Sequence, residues 1–254
     1  MAINRNSNAF TFTFAIIMVL VVGAALSFVS LSLKPLQVKN ATDKEMMSIL
    51  GSVGVESTRE GAQSDFYEYI TNRIVINHEG EVIEERNGEI DPNDKSEPFN
   101  VDVKKEFRDR TLSIEDKQFP LYVASIDGEE VVVIPMVGKG LWGPVWGYVA
   151  LKKDYNTIYG ATFSHQGETP GLGAEISEPF FSEPFTGKTI YDEQGKLVSI
   201  TIQKGGAPAD APHAVNGITG GTITSVGVQE MLERTFSVYD KYFEKSKTQT
   251  SQKI

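Results

Sequence analysis

Four hydroxyl side chains crowd the stretch "NGITGGTITS" at residues 216–225, just before the last amphipathic segment of the chain. The first backbone N–H groups of a helix lack partners within it, so a glycine-rich loop at a helix start suits an anion such as a phosphate. One hydroxyl is needed as a helix cap, and Thr224 or Ser225 is the expected N-cap. Thr219 and Thr222 are then left without a structural role, and no residue of the stretch can serve as a general base.

Two further glycine-rich loops could reach the same ligand, "GKGLWG" at residues 138–143 and "HQGETPGLGAE" at residues 165–175. Unhindered N–H groups in such loops suit a phosphate or a planar ring. Glycines that only supply turn conformations are the alternative. The chain has no GxxxxGK[ST] and no GxGxxG that opens a βαβ unit. The sequence therefore gives no support for binding of a nucleoside triphosphate or NAD(H).

Composition excludes several other kinds of site. The 254 residues contain no cysteine, which rules out thiolate nucleophiles, disulfides and cysteine-ligated zinc or iron–sulfur centres. The three histidines, His78, His165 and His213, lie far apart in the sequence, and no metal site is predicted. The net charge of −10 argues against nucleic acid as a partner, because phosphates favour a basic surface.

An uncharged and largely apolar run extends from Asn6 to Leu33. As a helix, residues 9–33 would be roughly 37 Å long, enough to cross a hydrocarbon core of about 30 Å. We predict a short tail at residues 1–8 and one transmembrane helix at residues 9–33. A cleaved signal peptide is the alternative, although the apolar run continues beyond the small residues "GAALS". A strict positive-inside count would leave the following domain in the cytoplasm, but so few charges do not settle the orientation.

The rest of the chain has an α+β pattern. A helical connector is predicted at residues 34–70. Strands are predicted in "NRIVINHEGEVI", "PLYVASIDGEEVVVIPMV", "GKGLWGPVWGYVALKKD", "NTIYGATFSHQ" and "KLVSITIQKGG", with turns at Glu79-Gly80 and Asp127-Gly128. Residues 87–117 are expected to form a solvated excursion with a short helix near residues 103–110, or else a disordered linker.

A final amphipathic helix, "SVGVQEMLERTFSVYDKYFEKS", should pack on these strands. Its predicted apolar face recurs at steps of three and four residues, and consists of Val228, Met231, Leu232, Thr235, Tyr239 and Tyr242. The predicted fold is α+β, a mostly antiparallel sheet with packed helices, preceded by one N-terminal transmembrane helix. The folded domain is placed at residues 71–245, and residues 246–254 form a polar tail.

The three loops "GKGLWGPVWGYVAL", "HQGETPGLGAEI" and "NGITGGTITSVGVQ", in this order behind a single N-terminal span, carry a resemblance to a known family. The chain resembles the C subunits of the sodium-translocating NADH:quinone reductases, which have a covalent FMN-binding domain. The G subunits of the related Rnf electron-transport complexes are the next nearest resemblance. The layout covers nearly the whole chain, and the specific motifs lie at residues 138–230.

The resemblance implies a covalently bound FMN. In this family a flavin transferase takes FMN from FAD and attaches it by a phosphoester to the last threonine of Asp-Gly-x-Ser/Thr-Gly-Ala-Thr. Read onto this chain, the motif corresponds to Asn216, Thr219, Gly220, Gly221 and, as the flavin-bearing residue, Thr222. Asn for Asp and Gly for Ala are departures that keep the loop small and polar, so we still expect attachment. Thr224 and Ser225 are competing acceptors that rank below Thr222.

The resemblance also implies that the 165–175 loop lines the isoalloxazine ring. Thr169 and Leu172 are the expected ring contacts, and the wall is expected to be shaped by Glu168, Gly171, Leu172 and Gly173. Four residues of the other loop, Lys139, Gly140, Leu141 and Trp142, are expected to flank the flavin or its phosphate. The alternatives are a solvated turn carboxylate for Glu168 and plain core packing for Leu172.

As a function, the resemblance implies an electron-carrier subunit that receives electrons from an iron–sulfur centre and passes them to another flavin subunit. It implies the bacterial inner membrane, with one span and a periplasmic domain, and as partners the other membrane flavin and iron–sulfur subunits and a flavin transferase. This chain has no dinucleotide motif, so the NADH site would lie on another subunit. The alternatives are an Rnf-type flavin subunit, a membrane-anchored scaffold without redox function, and a stand-alone extracellular flavoprotein reductase.

Overall fold

The computed structural model describes residues 7–109 and 111–251, with side chains described up to residue 248. The chain divides into two compact units, residues 1–45 and residues 46–254. Most of the predicted tail at residues 1–8 lies outside the described residues, as does the end of the predicted polar tail at residues 252–254.

The described chain begins with a long helix, α1 (Asn8–Ser52). Among the described residues, it is the one helix long and apolar enough to cross a membrane, with a mean hydropathy of 2.7 and no buried residue in its apolar window. The helix does not end at the predicted boundary after residue 33, but continues past Pro35 to Ser52. The predicted connector therefore shares a helix with the predicted span. Beyond the turn at Gly54, where φ is +77°, lies α2 (Ala62–Tyr69).

Six strands form one antiparallel sheet in the order β2-β1-β3-β4-β5-β6. The strands are β1 (Ile70–Ile76), β2 (Val82–Arg86), β3 (Phe119–Ile126), β4 (Glu129–Lys139), β5 (Pro144–Lys152) and β6 (Ile158–His165). The predicted turn at Asp127-Gly128 has φ of 51° and 83°, as a two-residue type I′ hairpin requires. The predicted α+β class, with a mostly antiparallel sheet and packed helices, is confirmed.

Both faces of this sheet are covered, which explains the unbroken apolar run in β4. Val132, Ile134 and Met136 belong to a core that the last helix, α5 (Thr222–Ser251), covers. Val131 and Val133 belong to a second core, with residues from the end of α1 and from α2. A strand buried on both faces has apolar residues at consecutive positions instead of alternating ones.

Helix α5 begins at Thr222, earlier than predicted. The carbonyl of Gly221 accepts the Ser225 N–H at 2.9 Å, the first bond of the helix, so the predicted N-cap at Thr224 or Ser225 is wrong. The buried face contains Val228, Met231, Leu232 and Tyr239 as predicted, together with Phe236 and Phe243, whereas Thr235 and Tyr242 are half-buried. Residues 246–251 continue the helix instead of forming a separate tail.

The strand predicted across "KLVSITIQKGG" is mostly wrong. Only β7 (Thr201–Gln203) forms there, and it pairs in parallel with β8 (Ala214–Asn216) in a separate small sheet. Gly205 and Gly206 follow with φ of 86° and 107°, a conformation that turns the chain away from any longer pairing.

The excursion at residues 87–117 contains the predicted short helix, α3 (Val103–Arg108), but it is not wholly solvated. Glu97 and Phe99 are buried in it. The carboxylate of Glu97 pairs with the buried guanidinium of Arg73 on β1, with N–O distances of 2.6 and 2.9 Å. A disordered linker could not supply such a buried partner, so that alternative is wrong for this part of the excursion.

Candidate functional site

The three glycine-rich loops meet at the carboxylate of Glu168. Its Oε1 accepts the backbone N–H of Trp142 at 2.8 Å, which reaches the loop after β4. Its Oε2 accepts the hydroxyl of Thr224 at 2.6 Å, which reaches the first turn of α5. Glu168 is only 5% exposed, so the alternative of a solvated turn carboxylate is wrong. A carboxylate buried this deeply needs hydrogen-bond donors, and both oxygens have one.

Three glycines are needed here because the loops approach one another so closely. A Cβ on Gly140 would lie 2.5 Å from Glu168 Oε1, and a Cβ on Gly173 would lie 2.5 Å from Oε2. A Cβ on Gly227 would lie 2.0 Å from the carbonyl oxygen of Lys139, where α5 crosses the end of β4. None of the three has a positive φ. Close packing, and not turn conformation, therefore explains them.

The four hydroxyl groups of the 216–225 stretch fall into two environments. Thr224 is 1% exposed and bonded to Glu168, and Ser225 is 4% exposed, with its Oγ accepting the Ile218 N–H at 3.0 Å. Thr219 and Thr222 are exposed. Thr222 is also the first residue of α5, where the N–H groups have no acceptor within the helix. The Thr222 hydroxyl is thus the exposed one at the helix start.

Thr222 borders two cavities, which share Gly220 and Thr222 in their walls. One of about 230 Å³ is lined by Leu141, Glu168, Thr169, Leu172, Gly173, Gly220, Gly221, Thr222, Ile223 and Thr224. The other, of about 220 Å³, is lined by Ile202, Lys204, Gly205, Gly217, Ile218, Thr219, Gly220, Thr222, Ser225 and Val226. A larger cavity of about 310 Å³ between α3, β4 and α5 contains none of the predicted site residues.

Most of the predicted site residues therefore come together. Gly140 and the backbone of Trp142 lie against Glu168, which lines the first cavity, while the side chain of Trp142 is exposed. Lys139 and Gly171 are absent from the described linings of both cavities. Leu172 is 42% exposed on the cavity wall, so plain core packing is the wrong explanation for it. Its Cδ2 lies 2.5 Å from where a Cβ on Gly220 would be, and Gly220 has a φ of +78°.

Lys204, Ile223 and Val226 also line the cavities, although the sequence arguments did not single them out. Ile223 and Val226 are exposed apolar residues that lie off the buried face of α5, which is a signal the sequence contains. Lys204 precedes the glycine pair 205–206. Within the described part of the chain, no hydrogen bond or ion pair engages its ammonium group, and Lys204 lines the same cavity as Thr222.

The two departures from the flavin-attachment motif have visible structural settings. Asn216 Oδ1 accepts the Ala207 N–H at 2.6 Å, a bond that an aspartate oxygen could also accept. A Cβ on Gly221 would lie 3.0 Å from Ile218 Cγ2 and 3.3 Å from Gly173 Cα. Alanine would be crowded at position 221, and glycine removes that crowding.

Comparisons with known proteins agree on one family. The FMN-binding domain family matches residues 140–237. The C subunit of the Na(+)-translocating NADH-quinone reductase of Vibrio parahaemolyticus is 34% identical over 243 residues, 90% of each chain. The protein of the same name from Neisseria meningitidis serogroup A is 33% identical over 230 residues, 87% of this chain and 88% of the relative.

Two solved structures share the fold. The crystal structure of the C subunit from Parabacteroides distasonis has a TM-score of 0.71 at 40% identity, and the similarity covers 83% of this chain and 96% of that one. The NqrC structure from Shewanella oneidensis has a TM-score of 0.67 at 27% identity, over 82% of this chain and 98% of that one.

Proposed function

Because the chain belongs to the family of the C subunits of Na(+)-translocating NADH-quinone reductases, we propose that it holds FMN covalently on Thr222 as an electron-carrier subunit. The attachment site is inferred from the difference in solvent exposure among the four hydroxyl groups. Thr224 and Ser225 are buried and bonded, while Thr222 is exposed at the start of α5, between two cavities.

The residues around Thr222 fit a phosphoester there. The free N–H groups at the start of α5 favour an anion, by about 0.3–1 kcal/mol at an exposed site. Lys204 adds a positive charge in the second cavity. Exposed Leu141, Leu172 and Ile223 offer apolar surface to a planar ring in the first cavity, with Thr169 as a polar neighbour. When bound, FMN supplies the electron-transfer chemistry, and the protein supplies position and local electrostatics.

The attachment reaction balances with FAD as the flavin donor. The Thr222 hydroxyl oxygen forms a bond to the phosphorus of the FMN moiety, the P–O–P bond of FAD breaks, and AMP leaves. The hydroxyl proton is released. The site contributes no general base of its own within the described residues, because the one carboxylate of the cavity, Glu168, is committed to Trp142 and Thr224. A separate flavin transferase supplies the catalysis.

In the complex, the chain would take electrons from an iron–sulfur centre and pass them to a membrane flavin subunit. The apolar side chains of Leu141, Leu172 and Ile223 near Thr222 are exposed, so they are accessible to such subunits. The similarity to the named C subunits favours this assignment over an Rnf-type subunit and over a non-redox scaffold.

Helix α1 serves in this proposal as a retained single-pass anchor in the bacterial inner membrane, with the FMN-binding domain in the periplasm. Its apolar window of mean hydropathy 2.7 supports the anchor. An alkaline phosphatase fusion after residue 254 tests the orientation. It should be active, whereas activity of a cytoplasm-dependent reporter at the same position would reverse the topology.

The function itself is tested in membranes that contain the whole complex. Thr222→Ala should abolish both NADH-driven quinone reduction and sodium uptake. Thr219→Ser, which keeps a hydroxyl at the other exposed position, should leave both in place. Undiminished quinone reduction in Thr222→Ala, with the chain present in the complex, would contradict the proposal.

A further inference from the structure

We infer that Glu168 is a positioning residue, which clamps the two neighbouring loops so that the Thr222 hydroxyl is presented for modification. The inference rests on the proposed attachment at Thr222 and adds the element that holds the site in shape before any flavin is present. It concerns the free chain, and not the electron-transfer step.

The clamp joins parts of the chain that are distant in sequence. Trp142 lies 26 residues before Glu168, and Thr224 lies 56 residues after it. Among the described residues, the Thr224 hydroxyl bond is the one recorded hydrogen bond between the 165–175 loop and the first turn of α5. The 138–143 loop has additional support next to it, since the Gln166 N–H donates to the Pro144 carbonyl at 3.1 Å.

The hydrogen bond at Thr224 also restrains Thr222, because the two residues are neighbours in the helix. The two residues belong to the same helical turn, so fixing the Thr224 side chain fixes the backbone from which Thr222 extends. Without the carboxylate, the partly buried Trp142 N–H and the buried Thr224 hydroxyl would both lose their acceptor. Such unsatisfied groups are costly, so the loops would separate to let water in.

The glycines around the carboxylate leave the space that the Glu168 oxygens occupy. A side chain on Gly140 or Gly173 would displace the Glu168 oxygens. Glu168 itself belongs to the 165–175 loop. There its backbone N–H donates to His165 Nδ1 at 3.1 Å. Glu168 is therefore held close to the end of β6, three residues after its last residue.

Two substitutions distinguish the hydrogen bonds of Glu168 from its negative charge. Glu168→Ala removes both acceptors. Glu168→Gln keeps a carbonyl oxygen for the Trp142 N–H and places an NH₂ group where it can donate to the Thr224 hydroxyl oxygen. Glu178→Ala is the matched control, because Glu178 is an exposed carboxylate nearby whose side chain makes no capping hydrogen bond.

The first measurement is hydrogen exchange on the full chain produced without the transferase, in detergent. Losing a hydrogen bond to a charged group favours the open state by about 10- to 100-fold. The Trp142 amide should therefore exchange at least about tenfold faster in Glu168→Ala than in the wild type. It should stay protected in Glu168→Gln and Glu178→Ala.

The second measurement is covalent flavin per chain after production with the transferase, read by in-gel fluorescence after denaturation. Glu168→Ala should carry at least tenfold less flavin at early times, and Glu168→Gln should recover most of it. If Glu168→Ala does not fold, Gly140→Ala, which crowds the same carboxylate, replaces it with the same expected direction. Wild-type flavin and wild-type exchange at Trp142 in Glu168→Ala and Gly140→Ala would overturn the clamp. A Glu168→Gln protein that stays protected at Trp142 but takes no flavin would overturn it as well.

The two measurements also separate this inference from the attachment proposal. A wild-type chain without flavin would end the proposal for Thr222, while the exchange experiment would still decide whether the clamp exists. If the wild-type chain carries flavin on Thr222 and Glu168→Ala is modified equally fast, the attachment proposal stands and the clamp is contradicted.

Discussion

Thr222 and Thr224 lie two residues apart in the first turn of α5, yet one hydroxyl is exposed and the other is buried. The Thr224 hydroxyl donates to Glu168 Oε2 at 2.6 Å, while Thr222 borders two cavities. A phosphoester on Thr224 would break a buried bond and place a phosphate beside a carboxylate. The burial of Thr224 therefore leaves Thr222 as the exposed hydroxyl at the helix start, which is why we propose it as the acceptor.

Thr224→Val should destabilise the protein. Valine has a similar shape but leaves Glu168 Oε2 without its donor, which costs about 1–3 kcal/mol for a buried group. Thr219→Val is the control, because Thr219 is exposed and such surface changes stay within about 0.5 kcal/mol. Urea unfolding of the detergent-solubilised chain measures both. Equal unfolding free energies would show that the buried hydroxyl contributes nothing.

Gly227→Ala should be destabilising for a steric reason. Its Cβ would lie 2.0 Å from the Lys139 carbonyl oxygen, so α5 and the end of β4 must move apart, at a cost of about 1–3 kcal/mol or more. Gly167→Ala is matched to it, since nothing lies within 4 Å of its Cβ position. The control should change the unfolding free energy by less than about 1 kcal/mol. A Gly227→Ala protein as stable as the control would contradict the close packing.

Lys204→Ala should slow attachment of the flavin without preventing it. Lys204 supplies an exposed positive charge in the second cavity at Thr222, and exposed charge pairs contribute about 0.2–1 kcal/mol, or up to about fivefold in rate. Early time points of in-gel flavin fluorescence measure that rate. Lys196→Ala, an exposed lysine that lines neither cavity, is the control. Identical attachment rates for the two variants would show that Lys204 does not contribute to flavin attachment.

Stability should fall in alkaline solution. Burial raises the pKa of Tyr239, whose hydroxyl donates to the Pro120 carbonyl at 2.6 Å. Above a pH of about 10, the unfolded chain loses this proton while the folded chain keeps it, so unfolding becomes more favourable as the pH rises. Burial also raises the pKa values of Tyr155, Tyr191 and Tyr242, which adds to the slope.

Tyr239→Phe isolates one part of that slope. It should be less stable near pH 7 because the hydrogen bond is lost, but its unfolding free energy should fall less steeply above pH 10, by up to about 1.4 kcal/mol per pH unit. Unfolding curves at pH 7, 9, 10 and 11 give the comparison. Parallel pH profiles for the two proteins would contradict the assignment to Tyr239.

The sheet could be predicted from the sequence because its signals are local. The Asp127-Gly128 turn and the apolar run of β4 place β3 and β4 in register. The small β7–β8 sheet was missed, since three-residue parallel strands have no pattern of their own and depend on contacts between distant segments. Hydropathy falls near residue 33 while the helix continues to Ser52, so the sequence pattern did not show that the predicted span and connector form one helix.

For the site, the motifs indicated which loops would meet but not how each side chain is used. Glu168 was expected in the wall, and its dual bond to Trp142 and Thr224 depends on burial that a single sequence does not reveal. The N-cap was misplaced because serine and threonine have the same preference at several positions near a helix start. The sequence did not indicate that Lys204 lines the second cavity, because the loop that contains it has no recognisable motif.

The most direct test of the central claim is mass spectrometry of the tryptic peptide at residues 205–234, which contains all four candidate hydroxyls and no internal lysine or arginine. After production with the transferase, fragmentation should place one FMN phosphoester on Thr222. In-gel flavin fluorescence should vanish in Thr222→Ala and persist in Thr219→Ser. An FMN mass on Thr219, Thr224 or Ser225, or fluorescence that persists in Thr222→Ala, would contradict the account.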